Sequence, residues 1–120
     1  MALQPFVLKA PELQDYCVDL RQKESVLGAA FSHSNSVKLW DVANFNSHIS
    51  VSIPIQTNLN EFTFIDTNTL AVCDASGHVI VHDIRSNTSS KPIKQNEELY
   101  SIDCNGMYIA TGGDKSTSVW

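Results

Sequence analysis

The chain has 120 residues, of which 42% are hydrophobic and 18% charged, and it carries a formal net charge of −5. That balance fits a soluble globular domain and excludes collagen, disorder throughout and a supercharged tail. Eight Lys+Arg, scattered along the chain, against thirteen Asp+Glu leave no basic footprint for nucleic acid, and no apolar run approaches the roughly 18 residues of a membrane span.

The first ten residues hold one Lys, a Pro and a short apolar patch, which makes a poor signal peptide. Cys17, Cys73 and Cys104 are odd in number and widely spaced. They read as small buried residues in a reducing, cytoplasmic or nuclear compartment, not as a disulfide framework.

In chain order, residues 11–23 hold good helix formers, yet Tyr16, Val18 and Leu20 alternate and favour a strand. Residues 25–31 and 36–40 are short, rich in β-branched or aromatic residues and bounded by Ser, Asn, Asp or Gly, which predicts two strands. The same texture marks 49–55, 61–66, 69–73, 78–84, 92–94, 99–104 and 108–112, while 86–90 is Ser/Asn-rich and reads as a loop. No dozen residues hold a convincing 3.6-residue apolar period, so the fold class is all-β.

Self-similarity organises these strands. Residues 36–42, SVKLWDV, superpose on 78–84, HVIVHDI, at an offset of 42, and a third copy ends the chain at 108–120. Each copy has an apolar strand with small residues upstream, a turn of polar residues, and a further candidate strand before it. A unit of about forty residues with four short strands is what a β-propeller blade demands.

The box Leu39-Trp40-Asp41-Val42, its counterpart His82-Asp83, and the stretch from Thr111 through Asp114 to Trp120 resemble the WD-repeat family. The resemblance implies an incomplete β-propeller of antiparallel four-stranded blades. Residues 1–11 would form an N-terminal arm or closing strand, 12–56 a first blade, 57–97 a second, and 98–120 the truncated inner part of a third. The Gly-His pair usual before the first strand of a repeat in the family is absent from all three copies, and His82 replaces the second Trp. In the family, a His, a turn Asp, a strand Ser/Thr and the Trp form a hydrogen-bonded network; Thr111, Asp114 and Trp120 are the matching partial set.

A blade cannot bury both faces alone, and propellers close with typically four to eight blades. The remaining blades are therefore expected from a longer chain of about 300 residues, with assembly of several copies into one ring as the weaker alternative. Phe31, Leu39, Phe62, Phe64 and Val81 are expected to lie buried between units.

Chemistry is sparse. His78 and His82 are four apart, but on a strand that is about 13 Å, too far for one Zn²⁺ held at about 2 Å per ligand. No nucleophile elbow or phosphate cradle is present, and Glu97-Glu98 reads as a solvated connector. No catalytic, cofactor-binding or metal residue is assigned. The expected function is a non-catalytic scaffold for other proteins, with no nucleic acid and no membrane among its partners. His82-Asp83-Ile84-Arg85 also resembles the Trp-Asp-x-Arg box of substrate receptors in cullin-type ubiquitin ligases. That resemblance implies docking of an adaptor through Asp83 and Arg85, where Arg offers a planar donor fork. A third alternative is the accessory propeller of an enzyme whose catalytic domain lies elsewhere.

Overall fold

The structure is a computed structural model that describes Leu3 and residues 15–55 and 57–120, apart from the side chains of residues 46 and 47. Nearly all of the expected N-terminal arm lies outside the described residues. The described residues form twelve β-strands in three antiparallel sheets and no helix. The alternating segment that begins near Tyr16 is a strand.

The first sheet runs β1 (Cys17–Lys23), β2 (Val26–Phe31), β3 (Ser36–Asp41) and β4 (Asn44–Ser52), in that spatial order. Two turns use a left-handed backbone: Glu24 at φ 52° joins β1 to β2, and Asn35 at φ 49°, a residue type suited to that conformation, closes the β2–β3 turn. The second sheet has β5 (Leu59–Asp66), β6 (Thr69–Asp74) and β7 (His78–Asp83), with two short pieces, β8 (Thr88–Ser89) and β9 (Ile93–Lys94), both paired with β7. The third has β10 (Leu99–Cys104), β11 (Ile109–Gly113) and β12 (Thr117–Val119), extended by Trp120, whose N–H and C=O both bond Ile109.

Two expectations need correction here. The 86–90 segment is not wholly loop: Thr88 and Ser89 pair with Asp83 and His82, since ladder bonds use backbone groups whatever the side chains. The fourth strand of the first sheet begins earlier than expected, at Asn44, and continues the hairpin directly from the turn after Asp41.

Strand periodicity decides what each face buries. Ala30, Val37, Leu39, Val51 and Ile53 of the first sheet pack against Leu59, Phe62, Phe64, Leu70, Val72 and Ile80 of the second. The opposite face of the second sheet sets Ala71, Cys73 and Val79 against Leu99 and Ile102 of the third. Leu70 through Cys73 are all 0% exposed, an apolar run because both sides of β6 are covered. Phe31 is buried as expected, but on the other face of the first sheet, with Ala29 and Trp40. Val81 is only half-buried, because it flanks the smaller second core.

The sheets lock by size complementarity. A Cβ on Gly28 would stand 2.9 Å from the Phe62 ring, so any larger residue would force that ring to shift. Phe62 meets Phe64 edge to face at 5.6 Å. Burying a side chain of this size stabilises by roughly 1.5–3 kcal/mol.

Candidate interaction surface

The two copies of the aromatic-Asp box end their strands in the same way. Asp41 Oδ1 accepts the N–H of Ala43 at 2.8 Å, and Asp83 Oδ1 accepts those of Arg85 at 2.9 Å and Ser86 at 3.2 Å. Beside them, Val42 N donates to Ser25 O at 2.9 Å and Ile84 N to Asn68 O at 2.8 Å. These are Asx-type turns, in which a short acid replaces a backbone acceptor. Asp41 and Asp83 thus shape the strand ends.

His82, at the position of the missing Trp, is 2% exposed. Its Nδ1 lies 2.7 Å from Ser89 Oγ, which ties β7 to β8. Among the described residues its Nε2 is buried without a partner. His78, on the same strand, turns its Nδ1 to the buried Asp74 Oδ2 at 3.1 Å. The two imidazoles therefore serve different local partners, and the described residues hold no metal-like cluster of His, Cys, Asp or Glu.

Arg85 emerges from the second box exposed. Among the described residues no carboxylate is paired with its guanidinium. It borders a cleft of about 470 Å³ between the first and second sheets, whose walls include Val26, Leu39, Trp40 and Ile84. The structure thus places Trp40, Asp41 and Arg85 around one opening, although the two boxes are 42 residues apart in sequence.

The third repeat keeps part of the family's network. Trp120 Nε1 donates to Thr111 Oγ1 at 3.3 Å, Thr111 donates to Gln95 Oε1 at 3.1 Å, and Gln95 Nε2 donates to Ser118 Oγ at 2.7 Å. Asp114 is instead directed at Tyr100, and together with Glu98 its carboxylate pushes the phenol up to about 12. Gln95 was not singled out from sequence, because an amide there matches no Gly-His pattern.

A second device was also missed. The residue two before each innermost strand holds the turn between the next two strands. Asp15 accepts His33 N at 2.9 Å and Ser34 N at 3.2 Å, and Thr57 Oγ1 accepts the Ser76 hydroxyl at 3.0 Å. Glu97 accepts Lys115 N and the Ser116 hydroxyl, both at 2.6 Å. Glu97 is therefore not the solvated connector expected of it. The Ser116 bond holds its carboxyl below the usual range.

No family model matches the sequence. A curated relative, the WD repeat-containing protein 89 homolog of Dictyostelium discoideum, is 35% identical over 98 residues, covering 81% of this chain and 27% of its own length. The chain thus spans about a quarter of that relative. Among solved structures, a chain in the mitotic checkpoint complex superposes with a TM-score of 0.78 at 17% identity, over 94% of this chain and 36% of that one. The computationally designed Ika8 protein gives 0.67 at 18% identity, over 84% and 31%. The structural likeness shows the fold of β-propeller blades, and over most of its length the chain is similar in sequence to a WD-repeat protein.

Proposed function

We propose that this segment is part of a closed ring of blades that works as a non-catalytic scaffold for other proteins. The observation that carries the reading is Leu20. Leu20, Phe62 and Ile102 hold one register position on the three innermost strands. Phe62 is 0% and Ile102 1% exposed, each packed on the sheet before it, whereas Leu20 is 64% exposed. A preceding sheet would cover it. A ring of this kind fixes turns such as those at Asp41 and Asp83 rigidly, and rigid loops serve recognition. The three free cysteines suit a reducing, cytoplasmic or nuclear setting.

Gentle affinity purification of the intact protein tests the scaffold reading. Partner proteins at stoichiometric ratio support it, and recovery of the protein alone contradicts it.

The exposed Arg85 favours a narrower second reading, the ubiquitin-ligase adaptor role. Asp83 would set the turn and Arg85 would present its fork to an acidic or carbonyl-rich surface. The test is co-precipitation of the cullin adaptor with wild type, Arg85→Ala and Arg85→Lys. Adaptor captured by the wild type and lost in both variants supports it, because lysine lacks the fork. Adaptor missing from the wild type, or unchanged in the variants, contradicts it.

A further inference from the structure

Ile49, on the edge strand β4, is 61% exposed and lines the cleft that Arg85 borders. Across the opening stand Ile84 and Arg85, just past β7 of the second sheet, with Leu39 below on the first. The volume of about 470 Å³ falls within the usual range for ligand sites. An apolar floor with a few polar groups at the rim is the usual composition of such a site.

Charge decides what suits it. Arg85 is the cation of the lining and Asp41 the anion. The carboxylates nearest in sequence are already engaged with backbone: Asp83 Oδ1 with Arg85 and Ser86, and Asp66 Oδ1 with Asn68. The guanidinium fork thus lacks a carboxylate among the described residues and faces a place where one can enter. Asp41, on the first-sheet wall, has one oxygen held by Ala43 N. It disfavours a second carboxylate on that side and accepts an N–H donor. Thr67 and Asn68, also in the lining, are polar residues suited to a peptide backbone.

We propose that this cleft binds a short peptide segment of a partner protein, with an apolar side chain seated between Ile49 and Ile84 and a neighbouring carboxylate on Arg85. The proposal deepens the scaffold reading and rests on it. A buried apolar anchor beside an Arg is the combination that dominates many protein interfaces.

The test is fluorescence polarisation of the intact protein with a panel of labelled, end-blocked hexapeptides. Each carries Leu or Phe one to three residues from Asp, beside counterparts with Asn in place of Asp or Ser in place of Leu or Phe. Arg85→Ala and Ile49→Asp both change exposed side chains, so folding should be retained, and a thermal melt of each checks this. The expected result is saturable binding of at least one Leu–Asp or Phe–Asp peptide. It should weaken about tenfold or more with Asn, with Ser, in Arg85→Ala and in Ile49→Asp. Lack of saturable binding overturns the proposal, as does binding that is equal for Asp and Asn or unchanged in either variant. Such failure leaves the scaffold reading open, since stoichiometric partners recovered with the intact protein report on that reading separately.

Discussion

Asp19 and Glu61, 42 residues apart, do the same work on successive innermost strands. Asp19 Oδ2 accepts the N–H of Phe62 at 3.3 Å, and Glu61 Oε1 accepts that of Ile102 at 2.9 Å. Each carboxylate reaches across to the next sheet, and Arg21 joins them at 3.3 Å to Asp19 and 2.9 Å to Glu61. The stack is held by a repeating polar clasp at one place and by apolar packing around it. The register counterpart on β10 is Ser101.

Glu61→Ala removes the acceptor of the Ile102 N–H and should destabilise the intact protein by about 1–3 kcal/mol. Arg21→Ala, at a side chain 32% exposed, should cost less than about 1 kcal/mol. Urea unfolding of the two variants checks the order, and equal costs would mean that the salt bridge, not the backbone bond, matters.

Gly77 closes the β6–β7 turn at φ 88°, the position that Asn35 fills at φ 49° in the first sheet. Their carbonyls accept equivalent bonds, from Gln95 N at 2.8 Å and Ile53 N at 2.9 Å. A Cβ on Gly77 would clash with two backbone oxygens, of Gln95 and Glu97. Gly77→Ala should therefore destabilise more than Gly28→Ala, where a phenyl ring can shift. Gly77→Asn should not rescue, because asparagine eases the backbone angle but keeps the clash. Thermal melts of the three variants decide this, and a stable Gly77→Asn would contradict it.

Acid should loosen the turn staples. Burial pushes the Asp15 carboxyl up, but bonds from Ser34, His33 and Tyr16 outweigh it, so its pKa lies below 3.8; that of Glu97 lies below 4.5, held down chiefly by Ser116. A folded-state pKa below the unfolded one gives stability that is present above the unfolded value and lost as pH falls through the folded one. The melting-temperature gap between wild type and Glu97→Gln should thus be widest near neutrality and close below 4.5. A gap that widens in acid would reverse the sign and exclude the staple as its source.

Burial pushes the Cys73 thiol up to about 12, while Cys17 is exposed. Since the thiolate is the reactive form, iodoacetamide at mildly alkaline pH should label Cys17 in the folded protein and reach Cys73 only on unfolding. Mass spectrometry of the alkylated protein reads this directly, and early labelling of Cys73 would show that the second core opens.

The strands were legible because the alternation and the offset from Trp40 to His82 survive substitution. The polar devices were not, because unlike side chains hold equivalent places. Asp15, Thr57 and Glu97 are two acids and a hydroxyl, and Gln95 binds Thr111 where a pattern search expects His. Only the folded register aligns them. The cleft beside Arg85 was equally hidden, since Ile49 and Ile84 line it from two different sheets.

The ring itself is tested most directly by an experimental structure of the intact protein. The account predicts a preceding sheet that buries Leu20, now 64% exposed, in a gap like that of Gly28. It also predicts a following sheet that sets an apolar side chain against Ala110, the register counterpart of Gly28 and Ala71. An intact monomer with Leu20 and Ala110 both open to solvent, or covered by helices, would contradict the propeller account.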